Sequence, residues 1–348
     1  MIKIFTFNKV FGIDTISRTV LPQLKDEISS SFRAVSTSII MSEIICNPPG
    51  SERVLDGIAR MNYLHASYIK AGKISNSDMI YILSRFALEP VKYAQRYDWR
   101  EMSELERCAT GVFWKDLGEK MGIHYSCFPS GTQGAEGTWK DGMEWLEELD
   151  GWSREYEISV MAPSEANFKA AYWATHIASF SFPTNFLRQK FRASMSSMLE
   201  PHQVQAMGMP KPSAFHAWLV NAILFLRKFA YKNLMLPRPE FLRRVRVARS
   251  PNKHGRYYDT SYNAYPWYVP PTPSWILSPI SILQWVAGGD LPTGNEKYEP
   301  QGYSIAELGP RYKKGKGLER MAEDKERIRK MMEAHAAKGT KGEGCPFI

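Results

Sequence analysis

Several signatures that identify a protein class at sight are missing from this chain. Its four cysteines, Cys46, Cys108, Cys127 and Cys345, form no C-x-x-C pair and no matched Cys/His cluster. That excludes a structural zinc site and a secreted disulfide framework, and makes a reducing compartment the default. No stretch reaches the eighteen or so uninterrupted apolar residues of a membrane-spanning helix. The start, MIKIFTFNKVFGIDTISRTV, is interrupted by lysines and an aspartate and has no small-residue cleavage site after it, so it reads as neither signal peptide nor anchor. Period-two alternation is almost absent, and no internal repeat or low-complexity tract is present. There is no P-loop, no G-x-G-x-x-G after a strand, no G-x-S-x-G elbow and no H-E-x-x-H. The common enzyme templates therefore do not apply.

What remains is the composition of an ordinary folded protein: 348 residues, 44% hydrophobic, 23% charged and 13% aromatic. A chain of this length buries roughly three quarters of its unfolded surface and needs no covalent or metal staple. The net charge of +9 is unevenly placed. From Arg311 to Ile348 there are eleven Lys/Arg against six Asp/Glu, mixed at helical spacing, as in a solvated terminal helix with a loose end. A second basic cluster, Arg243, Arg244, Arg246 and Arg249, suits a solvated face or contact with anionic lipid. Without a nucleic-acid motif, neither cluster implies a nucleic-acid partner.

The periodicity predicts a mainly α fold. Leu55, Ile58, Asn62, His65 and Ile69 form one stripe of a helix over 52–71, ended by Gly72. A second, apolar nearly all round, is capped by Ser77 or Asp78 and runs to Pro90. Further helices are expected over 103–122, opened by the capping box SELE, and over 138–149, 164–182, 184–199 and 212–236. After Leu236, prolines at 266, 270, 271 and 273 forbid long helices. The pattern implies one helical domain over 1–310, with 236–310 an irregular, aromatic-rich wrapping segment, followed by a charged helix and tail over 311–348. The most apolar helix, ending in Arg227, Lys228 and Lys232, reads as buried or lying on a surface, not as a span.

Four residues stand out chemically. His65 lies on the apolar stripe beside Ile58, Met61 and Tyr68, where an imidazole is either a satisfied core group or bonded to something functional. Arg60 sits about 140° around the same helix, so the two flank a site, and a buried arginine seeks an anion. His176, in the aromatic stretch AAYWATHIASFSF, could meet His65 around a haem or metal, or be an independent core residue. Glu89, in the apolar second helix, accepts a salt bridge, with Arg60 or Arg96 as candidates, or acts as an acid/base with a pKa raised by burial. His216 has a weaker claim. The tryptophans and tyrosines suit a core and an apolar pocket equally.

The block NPPGSERVLDGIARMNYLHASYIKAGKISNSDMIYILSRFALEPVKYAQRYDWREMSELE, followed by FWKDLGEKMGI, resembles the fungal ER-bound oxygenase mpaB family, which is related to the bacterial rubber oxygenases. The resemblance continues in order through DGMEWLEELDGWSREYEISVMAPSEAN, LPRPEFLRRVR, PWYVPPTPSW and the terminal GCPF. It implies a globin-like, haem b-type helical fold and an O2-dependent oxygenase of apolar, often terpenoid, intermediates in secondary-metabolite biosynthesis. Oxidative cleavage of a carbon–carbon double bond is the family's best-known reaction, and hydroxylation is a related outcome. By the R-x-x-x-x-H pattern it carries over Arg60, close to the haem, and His65.

Where bacterial relatives place an axial histidine, this chain reads LSRFALEP, with Glu89 the only polar candidate, which leaves the ligand open: His65 or His176 ligates iron in its stead, or the site holds iron differently or none at all. Tyr63 and Leu64 replace a lysine and a threonine of the rubber oxygenases. Fungal members often begin with a membrane-spanning helix, and this chain starts near FGIDTIS, after that anchor's place. The resemblance thus implies endoplasmic-reticulum association, peripheral in mode, with a cytoplasmic location as the alternative. Two other functional classes fit the residues: a cofactor-free cyclase or isomerase using Glu89 and a histidine, and a non-catalytic lipid- or partner-binding protein.

Overall fold

The computed structural model describes residues 9–133, 138–236, 239 and 245–339. Arg243, Arg244, Cys345 and the terminal GCPF lie outside them. The fold is mainly α. Thirteen helices are named in chain order: α1 Asp14–Val20, α2 Glu27–Cys46, α3 Glu52–Lys70, α4 Asn76–Tyr97, α5 Glu104–Lys120, α6 Gly142–Val160, α7 Glu165–Ser179, α8 Asn185–Ser196, α9 Pro201–Ala206, α10 Ala214–Asn233, α11 Pro273–Ile276, α12 Pro279–Val286 and α13 Leu318–Gly339. Among the described residues, β structure is confined to three isolated bridges.

Local chemistry sets most of the helix starts. Ser103 and Glu106 form the expected capping box of α5. In α4 the box belongs to Ser75 with Asp78, not to Ser77. That helix also continues through Pro90 to Tyr97. A proline costs a helix one backbone donor, and here burial of Tyr93 and Ala94 beyond it offsets the loss. Helix α2 has no counterpart in the periodicity reading. Its serine-rich, β-branched sequence shows little amphipathic contrast, because Ser30, Ser31, Ser36 and Ser42 are buried along with Val35, Ile39 and Ile44. Asp26 caps it by accepting from the Ser29 amide.

Helix α2 packs on α3, α4 packs on α5 and α6, α5 packs on α6, and α7 closes over α1 and α2. At the α5–α6 crossing two glycines face each other. A Cβ on Gly111 would lie 1.9 Å from the Gly142 carbonyl oxygen, so this approach tolerates no side chain. The main core joins Ile39, Ile44, Ile58, Ile80, Trp145 and Leu149 to Trp267, Tyr303 and Leu308 of the C-terminal half. The Pro- and aromatic-rich segment thus packs its rings into the helical core. The charged helix α13 is less solvated than its composition suggests. Met321 and Ile328 are buried, and Lys325 and Arg329 reach Asp56 and Glu52 of α3 at 2.6 Å.

Candidate functional site

Helix α2 presents Arg33, Thr37, Ile40 and Met41 on one face, and α3 presents Met61, Leu64, His65 and Tyr68 at the same kind of spacing. With Gln23, Gly309, Pro310 and Lys313 they line a partly open cavity of about 80 Å³. Three buried polar atoms on its wall have no hydrogen-bond partner: Arg33 Nε, Thr37 Oγ1 and His65 Nδ1. Arg33 and His65 are partly exposed as whole residues, but their ionisable ends are enclosed. Burial, together with the positive charges of Arg33 and Lys313, pulls the His65 pKa down to about 4. The imidazole is therefore neutral at neutral pH. Burial also lowers the Arg33 pKa, opposed only by the Tyr68 and Tyr312 hydroxyls. No carboxylate among the described residues pairs with this arginine.

Arg60, fully buried, serves the roof of this cavity. Its Nε donates to the Leu308 carbonyl at 2.8 Å, Nη1 to Lys316 at 2.9 Å and Nη2 to Lys313 at 2.9 Å. The guanidinium thus holds three carbonyls of the 308–316 segment in place of the acid group that sequence reasoning assigned to it. Lys313 in turn donates to the Leu64 carbonyl at 3.1 Å and to Ser67 Oγ at 2.8 Å. Gly317, at φ +81°, passes the Tyr63 ring where a Cβ would come within 2.1 Å. His65 thus lines the cavity, and Arg60, outside its lining, holds the segment that carries Gly309, Pro310 and Lys313.

Glu89 lies elsewhere, in a groove of about 810 Å³. It accepts from Lys9 at 2.8 Å and from Arg85, one turn before it, at 3.3 Å. Neither Arg60 nor Arg96 is its partner, which corrects the expected pairing. Arg85 also reaches Glu157 at 2.8 Å and Ser153 at 2.7 Å. Burial pushes the Glu157 pKa up, but Arg85, Gln203, Tyr81 and His202 outweigh it and hold the carboxyl below its usual range. The Glu157 carboxylate accepts from Tyr81 at 2.9 Å and Gln203 at 2.8 Å, and lies 3.2 Å from His202 Nε2.

His176 occupies a third place. Its Nε2 lies 2.7 Å from Glu27 Oε2, its ring stacks on Tyr172, and Glu27 also accepts from Tyr265. His176 and His65 line no common cavity and share no hydrogen-bond partner. Among the described residues no group of three His, Cys, Asp or Glu could hold a metal ion. Sequence reasoning missed Arg33 and Thr37, because α2 itself went unread; an arginine four residues before a threonine is the only local trace of their shared face.

For a haem, the donor types around His65 fit: one neutral imidazole for iron, and Arg33 and Lys313 for propionates. The volume does not. Pockets for cofactor-sized ligands run to about 300 Å³ and above, so the cavity holds a few small molecules at most.

The chain is 35% identical over 322 residues to ER-bound oxygenase mpaB' of Penicillium brevicompactum, covering 92% of this chain and 75% of that protein. It is 33% identical over 301 residues to ER-bound oxygenase mpaB of the same organism, covering 86% and 69%. Over 184 residues it is 38% identical to ER-bound oxygenase mpaB of Penicillium roqueforti (strain FM164), covering 52% and 60%. No family model matches the chain.

Proposed function

This chain belongs to the ER-bound oxygenase mpaB family, and from that premise we propose that it oxidises an apolar, terpenoid- or polyketide-like small molecule with O2, the His65 cavity of about 80 Å³ taking O2 or the reacting end of that molecule and not the whole of it. An oxygenase role follows from the names of the relatives. The observation that supports this cavity is its three unpartnered buried polar atoms. Each such atom costs about 1–3 kcal/mol unmet, and of those among the described residues three converge on this one cavity. His65, neutral and a weak base here, leaves Nδ1 free for a hydrogen bond or a metal. Arg33 offers a donor to an oxygen atom that gains negative charge, and Ile40, Met41, Met61 and Leu64 give the cavity an apolar side.

Haem b, or iron held in another way, is the cofactor the resemblance implies; it would supply oxygen activation. At about 80 Å³ the cavity does not hold a porphyrin. The deciding experiment is an absorption spectrum with metal analysis on the whole chain, followed by His65→Ala. Loss of turnover is expected, together with loss of any iron that His65 holds. Retained iron and activity in that variant would reduce His65 to a core residue.

A second reading rests on the groove, where Glu157 lies beside His202 in a volume that suits a ligand. There Glu89 or Glu157 would work as acid or base without a cofactor. Anaerobic turnover by colourless, metal-free protein would favour it. We also propose membrane association, as the relatives are named ER-bound. No helix of the described residues is long and apolar enough to cross a membrane.

A further inference from the structure

Helix α10 is turned inside out. Phe215, Trp218, Ala222, Phe225 and Phe229 follow one another at spacings of three and four, which is one continuous stripe. In a globular protein such a stripe faces the core. Here Trp218 is 64% and Phe225 66% exposed, and only Leu224, about 140° around the helix from the stripe's middle, is buried. The exposed apolar surface does not stop there. Helix α8 packs on α10 and carries Phe186 at 65% exposure. Its Arg188 reaches the Ala287 carbonyl at the end of α12, at 2.8 Å. On α12, Trp285 and Val286 are exposed to 59% and 58%, and residues 260–289 contain no charged side chain at all. Scattered surface apolars are ordinary, but a contiguous set of this kind marks an interaction surface.

Charge says what kind of surface. Residues 166–239 hold nine Lys/Arg and a single acid, Glu200. Lys228 and Lys232 on α10 pair with no carboxylate among the described residues. We propose that this flank, α10 with α8 and α12, lies in the head-group layer of an anionic membrane, its aromatic stripe reaching the acyl boundary and its lysines the lipid phosphates. A second copy of the chain suits it less well, because a two-fold pairing of this flank sets its cations against one another. The inference rests on the membrane association proposed above and names the surface responsible. It requires nothing of the reaction at the His65 cavity.

The experiment is vesicle co-sedimentation of the whole chain, with phosphatidylcholine alone and with about a fifth phosphatidylserine. Binding to the anionic vesicles is expected to be at least about tenfold tighter, and to weaken with salt. Trp218→Glu with Phe225→Glu should reduce it about tenfold or more. Leu105→Glu with Leu318→Glu, which places the same charges on exposed positions outside this flank, should leave it unchanged. If the wild-type chain binds and the α10 variant binds equally, this surface is wrong while membrane association stands. If the wild type binds neither vesicle, both fail. A lipid-free dimer that dissociates in the α10 variant would assign the flank to a second copy and overturn the inference.

Discussion

The cavity at His65 and the groove at Glu89 differ in opposite ways. The groove is about ten times larger, yet its carboxylates are thoroughly paired: Glu89 with Lys9 and Arg85, and Glu157 with Arg85, Tyr81, Gln203 and His202. The cavity is small, and three polar atoms in its wall are paired with nothing. Size reports where the chain has left room; unmet hydrogen bonds report where its own chemistry is incomplete. A closed ion-pair network such as the groove's is explained by the fold alone. The cavity's wall is not, which is why the reaction is placed there.

The largest effect that tests this contrast belongs to Arg60. If it pins the cavity's roof, Arg60→Ala leaves three buried carbonyls without charged donors, and should cost about 4 kcal/mol in urea unfolding. Arg60→Lys, with a single ammonium for three diverging acceptors, should recover less than half. A loss under about 1 kcal/mol would detach Arg60 from the roof and return it to the ligand role that the family pattern suggested.

Next comes proton linkage. The folded pKa of His65, about 4, lies below its ordinary value of 6.5. Between these values the unfolded chain binds a proton that the folded chain refuses, so stability rises with pH. On acidification it is lost from about pH 6.5 downward, reaching about 3 kcal/mol near pH 4. The difference between wild type and His65→Gln, followed by urea unfolding at several pH values, isolates this contribution from the other titrating groups. A flat difference would mean that water or a counter-ion reaches Nδ1. In the groove the linkage has its own window: Glu157, held below its usual range, loses its contribution only as pH falls through that lower value.

How much of this was legible follows from distance along the chain. Arg60 and His65 were visible because one helix encodes both, His65 on its apolar stripe and Arg60 about 140° around from it. What Arg60 holds was not, since its acceptors lie about 250 residues later, beyond any local pattern. Arg33 and Thr37 were lost with α2, whose buried serines hide the contrast on which periodicity depends. Glu89 is the instructive error. Its partner Arg85 sits at i−4, a spacing the sequence displays, whereas the expectation looked farther away, to Arg60 and Arg96. His176 was read as an inward group, either beside His65 or on its own; it is partly exposed, and Glu27 engages it. The exposed stripe of α10 was legible as apolar and basic, and its outward orientation was not, because a pattern shows that a face exists without showing what covers it.

A smaller test addresses the groove from its own side. Glu157→Gln keeps the shape and loses the charge that faces Arg85, at an expected cost of about 2 kcal/mol, since Glu89 still neutralises that arginine. Oxygen-dependent turnover should change by less than about threefold if the groove serves only the fold. A fall of about a hundredfold, with stability largely kept, would move the reaction to the groove and invert the comparison.

The least effect is the most discriminating. Thr37→Val replaces an unpartnered buried hydroxyl by a methyl group of the same shape. If the hydroxyl serves nothing in the protein itself, its removal abolishes a desolvation cost, and the ligand-free chain should become more stable by up to about 1 kcal/mol. If it also waits for a ligand, the same substitution should weaken binding and slow turnover several-fold. Gain of stability with loss of activity is what an unmet group at a reaction site produces. Loss of stability with unchanged activity would instead show that Thr37 works for the fold, and the argument from unpaired atoms would then have to rest on Arg33 and His65 alone.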